Sequence, residues 1–506
     1  MTSRCAVRGD FRLSHLDRVY RDSLALLTDL YQLTMAYGYW KSGTAEKEAC
    51  FHLFFRRNPF GGGFAVACGL GPAIEYIENL RFQEDDLEYL AGLAGNDGGP
   101  LFETGFLDHL RTLSFRCDLD AVPEGTVVFA QEPLVRVTGP LLAAQILETP
   151  LLNLINFQTL IATKAARLRL AAGDDPVLEF GLRRAQGIDG GLAAARAAYA
   201  GGCDGTSNLL AGKVYGIPVR GTHAHSWVLS FGSELEAFAA YAGALPNNCV
   251  FLVDTYDTLE GVRHAAEVGH RLRERGHEMI GVRLDSGDLA WLSREARRIL
   301  DEAGFPEAQV LASNDLDETL IAELKRQGAA IDVWGVGTRL VTAFGDPALG
   351  GVYKLTAVRE PGGEWEDRVK VSEQAAKTTN PGIQQVRRFR LGGEFTGDVI
   401  YDQRRGLPAE PTMVDPLDMT RRKVIPPGAE GEDLLVPVFR QGTRVCDPPD
   451  LEAIRRRVRE QLGRFHAGVK RFVNPHRYPV GLELEYFERR TRLILEEKGL
   501  AQGKGG

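Results

Sequence analysis

Cysteine is scarce and scattered in this chain. Its seven residues (5, 50, 68, 117, 203, 249 and 446) form no CxxC pair and make an odd total. That excludes a disulfide framework or a zinc ribbon and fits a reducing compartment. A basic surplus is missing too: 60 Lys and Arg stand against 68 Asp and Glu, for a net charge of −8. A general nucleic-acid binder needs a basic surface, so nucleic acid is not an expected partner. Anionic small ligands remain open, because a few arginines can reverse the potential inside one cleft. No run of ~18 uncharged apolar residues occurs, so no membrane-spanning helix is expected. The opening MTSRCAVRGDFRLSHLDR lacks the apolar stretch of a signal peptide, which makes the cytoplasm the expected setting.

What the chain does have is length: 506 residues, 44% hydrophobic and 25% charged, enough for two or three ordinary globular domains. After an N-terminal extension (1–20), residues 21–150 mix helical and stranded patterns. LTDLYQLTMAYGYWKSG has helical apolar spacing and ends on Gly43, a plausible C-cap. GTVVFAQEPLVRVTGP alternates apolar and polar residues as short strands do. From 151 to 356 the rhythm changes. VLEF, IPVRG, CVFLVD, MIGVRL, QVLAS and IDVWGVG are each followed by a helical stretch. Such alternation implies parallel βα units. With no G-x-G-x-x-G opener, a βα barrel is favoured, and a doubly wound open sheet stays as the alternative. Residues 357–506 hold strands in polar, Pro/Gly-rich sequence and the basic helix LEAIRRRVREQLGRF, expected as a further C-terminal domain.

In a parallel βα barrel the chemistry gathers at the C-terminal strand ends. Those ends carry Gly181, Arg183 and Arg184, then Thr222, His223 and His225, then Asp254 and Asp257. Next come Arg283, Asp285, Ser286, Gly287 and Asp288, then Ser313, Asn314 and Asp315, and finally Gly335, Gly337, Thr338 and Arg339. Taken singly, Asp, Asn and Ser after a strand are commonly helix N-caps, and G-V-G-T is an ordinary tight turn. Six polar ends on one rim are a stronger signal than any one of them. Arginine forks suit phosphate or carboxylate, and turns opening helices present N–H groups to anions. The aspartates suit ribose hydroxyls or Mg²⁺. A phosphorylated sugar or nucleotide substrate with Mg²⁺ is the expected chemistry.

The pair His223 and His225 in GTHAHSW has two readings. Residues i and i+2 on a strand share a face, so both could bind a metal, as in a metal-dependent barrel hydrolase. No other strand end supplies a histidine, since His264, His270 and His277 lie in a charged helical stretch. That leaves one imidazole as proton carrier or nucleophile.

Taken together, these residues resemble the nicotinate phosphoribosyltransferase family over about residues 22 to 485. The resemblance rests on LLTDLYQLTMAYGYW, EFGLRRAQG, GCDGTSNLLAG, GTHAHSW, LVDTYDT, GVRLDSGDL, SNDLDE, DVWGVGTRL, LGGVYKL, KTTNPG and NPHRYPVGLE, in that order. It implies a type II phosphoribosyltransferase fold: an N-terminal α/β domain, an irregular TIM-like βα barrel and a C-terminal portion. It implies a homodimer with shared active sites, acting in NAD biosynthesis. The implied reaction joins nicotinate to phosphoribosyl pyrophosphate, with Mg²⁺ and with ATP as co-substrate.

The resemblance also implies roles. The phosphorylated histidine of the motif G-T-x-A-H-S falls on His225, with Arg283 and Asp285 beside it in catalysis. Tyr31, reaching from the neighbouring subunit, Thr222, Arg339 and Ser207 are implied for nicotinate. Arg183, Arg283, Asp285, Gly335, Gly337 and Thr379 are implied for phosphoribosyl pyrophosphate. The nearest rival is a nicotinamide-using relative, which places an acid in the stretch matching GTSN. Here that position is Ser207, and a serine suits a carboxylate ligand better than a buried acid would.

Overall fold

The structure, a computed structural model, describes residues 20–500 apart from 22, 375–376 and 448–449. The expected extension at 1–20 therefore lies, but for Tyr20, outside the described residues.

Near the N-terminus the sequence periodicities become helices at Leu30–Lys41, Leu70–Asn79, Glu84–Ala91 and Thr104–Arg111. Gly43, just past the first of them, has the left-handed φ of 71° expected of a terminating glycine. A seven-stranded antiparallel sheet stands behind them. Its central strand is Val135–Pro140; Glu48–Phe55 lies between that strand and Gly351–Arg359, and Val436–Arg440 is next to the far edge. This sheet is thus drawn from chain segments some 300 residues apart.

The long helix Glu148–Ala172 carries the chain into the parallel region and is buried along most of its length. The alanine-rich helix Gly187–Gly201 packs against it so closely that a Cβ on Gly201 would stand 2.3 Å from the Ala162 carbonyl oxygen. Small side chains set that spacing. Arg196, on the same helix, makes a two-pronged ion pair with buried Glu124, both contacts at 2.8 Å. This pins the parallel region to the N-terminal one.

Six parallel strands follow: β1 (Val177–Glu179), β2 (Gly205–Thr206), β3 (Val250–Leu252), β4 (Gly281–Leu284), β5 (Gln309–Ala312) and β6 (Val333–Val336). Their order is β2-β1-β6-β5-β4-β3, so the first strand pairs with the last. This is the cyclic order of a barrel, with no switch point of a doubly wound sheet. The expected barrel is nevertheless not closed, for among the described residues no ladder joins β2 to β3. Segment 217–223 occupies the gap. Expected as a strand from IPVRG, it makes only a single bridge, Thr206 with Val219. Pro218 has no N–H to extend that pairing.

A third, six-stranded sheet is built from Gln384–Leu391, Glu394–Asp402, Thr412–Val414, Arg422–Val424, Glu430–Asp433 and Val480–Glu483. The basic helix forms as Leu451–Arg464, and Leu484–Glu497 is the last helix. The six described cysteines are free thiols, and no helix among the described residues is long and apolar enough to cross a membrane.

Candidate active site

The strand ends converge on one guanidinium. Arg283, in β4, donates from Nε to Ser313 Oγ at 2.8 Å, from Nη1 to Thr222 Oγ1 at 3.1 Å and from Nη2 to Asp285 Oδ1 at 2.9 Å. One planar fork therefore ties the ends of β4 and β5 to the gap segment. Its Cζ lies 5.7 Å from the centre of the Phe180 ring.

His225 opens the five-residue helix His225–Leu229 beside this fork. Its Nδ1 is 3.1 Å from Thr255 Oγ1. Its Nε2 faces two acids, with Asp254 Oδ1 and Asp285 Oδ2 each 3.9 Å away. Asp254 is held from the other side, where Oδ2 accepts the Asp285 N–H at 3.2 Å and the Ser286 hydroxyl at 2.5 Å. Its Oδ1 is buried and has no hydrogen-bond partner among the described residues. An orphaned carboxylate oxygen beside a second carboxylate suits a hard cation, and Mg²⁺ takes one or two carboxylates plus substrate oxygens.

The D-x-x-D pairs divide their labour. Asp257 and Asp288, the second acid of each pair, are N-caps, accepting from Glu260 N–H and from Ala290 and Trp291 N–H. Asp254 and Asp285, the first of each pair, form the cluster. The capping reading thus holds for half of these acids.

His223 does something else. Its Nε2 accepts the Leu252 N–H at 3.2 Å, and the ring stands edge-on to Tyr241 with centroids 5.0 Å apart. Burial, aided by the Arg283 charge and by His225, holds its pKa below the usual histidine value, and an Nε2 that accepts an N–H carries no proton of its own. The lone pair a metal would need is already used. His264 pairs instead with Glu234, His277 bonds Asn247 and His270 packs on Phe305.

A cavity of about 300 Å³ opens beside the fork, lined by Phe180, Arg183, Ser207, Thr222, His223 and Arg283 among others, with no carboxylate in its wall. Arg183 makes no hydrogen bond or ion pair among the described residues and is exposed to this space. Ser207 is placed by its N–H donating to Glu179 O at 2.9 Å. Glu179 itself is buried, which raises its pKa against the opposing bonds from Thr206 Oγ1 and Gly181 N–H. Gly335 and Gly337 pass beneath Phe180, where a Cβ would come to 2.9 Å from its ring and 3.1 Å from its carbonyl oxygen respectively. Asn314 and Asp315 both take left-handed backbone, φ 90° and 41°, at the end of β5.

Three expected residues are not brought to this cluster. Arg339, in the short helix after β6, pairs through Nη1 with Asp317 and stacks at 4.6 Å on Phe344. Asp317 caps the helix Glu318–Arg326, and the Leu320 N–H and Arg339 outweigh burial to hold its pKa low. Thr379 is buried in the segment before the third sheet, its hydroxyl accepting the Lys370 N–H at 2.9 Å. Tyr31 is 46% exposed on the first helix. Sequence reasoning in turn missed Phe180, Thr255 and Glu179 as site residues. Each stands next to a residue it did select or ends a strand it had recognised, so adjacency was the only available signal.

Two family models match the chain: the nicotinate phosphoribosyltransferase N-terminal domain over residues 26–156 and its C-terminal domain over 384–490. The chain is 45% identical to the nicotinate phosphoribosyltransferase of Bacillus subtilis over 486 residues, covering 94% of this chain and 96% of that one. It is 39% identical to the human enzyme over 523 residues, 90% and 94% of the two chains. The crystal structure of human nicotinic acid phosphoribosyltransferase superposes with a TM-score of 0.79 at 34% identity, covering 92% of this chain and 99% of that one.

Proposed function

The chain belongs to the nicotinate phosphoribosyltransferase family, and from that premise we propose how its residues carry the reaction. It is a transferase of NAD biosynthesis, which joins nicotinate to phosphoribosyl pyrophosphate and releases pyrophosphate. The transfer is coupled to ATP through phosphorylation of His225. The observation that carries this reading is the setting of that ring: Nδ1 anchored on Thr255 and Nε2 open toward Asp254 and Asp285.

With Nδ1–H donating to Thr255 Oγ1, Nε2 presents a lone pair. It attacks the γ-phosphorus of ATP, the Nε2–P bond forms, the bond to the bridging β,γ-oxygen breaks and ADP leaves. The positive charge left on the ring faces Asp254 and Asp285. Those two carboxylates would hold Mg²⁺, which offsets phosphate charge. In the transfer itself the pyridine nitrogen bonds to ribose C1 as the bond from C1 to the pyrophosphate oxygen breaks. Hydrolysis of the phosphohistidine then drives the cycle forward.

Arg183, Arg283 and Asp285 bind phosphoribosyl pyrophosphate, with Gly335 and Gly337 at the 5′-phosphate; Thr379, buried and away from this cluster, would reach the substrate only if its segment shifts on binding. Thr222, Ser207 and Arg339 receive nicotinate. Arg339 keeps Nε and Nη2 clear of any hydrogen bond among the described residues, which leaves one edge of its fork for a carboxylate. Tyr31 serves the neighbouring subunit's site in a homodimer, in keeping with its exposure beside the exposed Leu24, Leu27 and Leu30. The open sheet is an irregular barrel whose last seam is filled by segment 217–223 rather than by a strand. The carboxylate-free cavity wall favours nicotinate over nicotinamide.

The test is a product assay with labelled nicotinate and phosphoribosyl pyrophosphate, with and without ATP. ATP should raise the yield, EDTA should stop the reaction until Mg²⁺ is restored, and γ-labelled ATP should leave an acid-labile, base-stable label on the chain. A parental enzyme that uses nicotinamide as well as nicotinate, or that never takes the label, would overturn the assignment.

A further inference from the structure

The third sheet carries a second cationic cavity that the reaction does not use. Its volume is about 380 Å³, and Arg421, Arg422, Lys423 and Arg477 line it against one carboxylate, Asp415. No residue of its wall is shared with the cavity around Arg283. In a chain of net charge −8, four cations against Asp415 and the neighbouring Asp418 are a local reversal of sign.

The backbone builds this concentration. Strands Thr412–Val414 and Arg422–Val424 pair antiparallel, setting Val414 opposite Arg422 and Met413 opposite Lys423. The tight connection between them is closed by the Asp415 N–H donating to Arg421 O at 3.0 Å. Arg477 reaches in from the neighbouring segment to pair with Asp415 at 2.8 Å.

The cations are only partly satisfied. The Arg422 side chain makes one hydrogen bond among the described residues, from Nε to Met419 O at 3.2 Å, so both of its Nη groups are unengaged. The Arg421 side chain is paired only through Nε, with Asp418 at 3.2 Å, and its Nη groups make no hydrogen bond among the described residues. Lys423 has a single carbonyl partner, Thr396 O at 2.5 Å, and burial lowers its pKa. A smaller cavity of about 90 Å³ adjoins, sharing Asp415, Arg477, Tyr478 and Val480, and adds Arg56. The Nε of Arg56 is buried without a hydrogen-bond partner.

We propose that this cavity is a second anion site, which takes a phosphate-bearing small molecule apart from the substrates of the transfer. The unengaged Nη groups of Arg422 lie on the cavity wall, and a guanidinium matches phosphate oxygens two at a time. An excess of cations over carboxylates calls for a multiply charged ligand rather than a single carboxylate.

Pyrophosphate is the probe, titrated calorimetrically into full-length Arg283→Ala protein so that binding at the reaction centre is weakened. One class of sites should remain. Adding Arg422→Ala should weaken it at least about tenfold, the loss of a charge-assisted contact. Arg477→Ala is the second variant, and a thermal melt of each checks that it is folded. Phenylglyoxal modification of Arg421 and Arg422, read by peptide mass, should be slowed by pyrophosphate in the parental chain. Two further ligands sort the chemistry: ATP competing for the same class identifies the phosphate tail of a nucleotide as a ligand, and its failure to compete restricts the site to small free phosphates. The proposal is overturned if Arg283→Ala protein binds no pyrophosphate, if Arg422→Ala and Arg477→Ala bind it unchanged, or if sulfate binds equally well.

Discussion

Nε2 of His223 accepts the backbone N–H of Leu252 at 3.2 Å, where a neighbouring strand would offer a carbonyl oxygen. On the opposite side of the same segment, Thr206 N–H donates to Pro218 O and Arg220 N–H to Thr206 O, each at 3.0 Å. A side chain thus completes an edge that backbone alone leaves open, two residues before the proposed nucleophile.

His223→Ala should therefore lower stability while leaving the chemistry largely in place. It orphans a buried N–H, a loss of about 1–3 kcal/mol. The variant should still take the acid-labile label from γ-labelled ATP. His225→Ala should show the reverse: near-parental stability, since the ring is half exposed, and no label. If the label disappears with His223 and persists without His225, the nucleophile has been assigned to the wrong imidazole.

A second buried histidine predicts an acid limb of stability. His52 accepts the Gln384 N–H on Nε2 at 3.1 Å and has Nδ1 at 2.9 Å from Thr356 Oγ1, which joins the first sheet to the third. Burial, and then the Arg136 charge, lower its pKa to about 3 from 6.5. Between those values the unfolded chain binds a proton that the native chain refuses. Its contribution is present above pH 6.5 and is lost as pH falls toward 3. His52→Gln keeps an acceptor and removes the titration, so its unfolding midpoint in urea should fall less between pH 7.5 and pH 5 than the parental one. Equal slopes would rule His52 out as a source of that limb.

Much of the parallel region was legible because its signals are local. VLEF, CVFLVD, MIGVRL, QVLAS and IDVWGVG all contain strands of the sheet. IPVRG reads the same way yet forms only a bridge, and the true second strand, Gly205–Thr206, is too short to carry a pattern. The pairing of Glu48–Phe55 with Gly351–Arg359 is invisible for another reason: nothing local marks a partner 300 residues away. Within the site, residue types at strand ends gave Arg283, Asp285 and Thr222. The roles of His223 and His225 depend on which way each ring turns, and a shared alternation cannot supply that.

Arg339→Ala should raise the KM for nicotinate sharply, by the roughly 1.5–3 kcal/mol of a charge-assisted contact, with a smaller change in kcat. Asp317 fixes one edge of that fork, so Asp317→Asn should raise the same KM by less. Unchanged nicotinate saturation in Arg339→Ala would remove this residue from the carboxylate site.

The cavity depends on a glycine beneath its aromatic wall. A Cβ on Gly335 would stand 2.9 Å from two atoms of the Phe180 ring and 3.4 Å from Ser313 Cβ. Ser313 is buried and cannot retreat, so Phe180, which lines the cavity against Arg283, is the neighbour that must move. Gly335→Ala should therefore push the ring toward Arg283 and the cavity. Overpacking of this kind costs about 1–3 kcal/mol. If half of that is felt at the bound substrate, kcat/KM should fall about two- to twelvefold, measured with both substrates varied. Pairing the change with Phe180→Leu separates packing from chemistry, since leucine vacates the volume the methyl needs. Stability should recover in the double variant, while the activity should stay low because the flat wall is gone. A Gly335→Ala enzyme with parental KM values for both substrates would show that the ring can move without consequence, and that Phe180 is no part of the site.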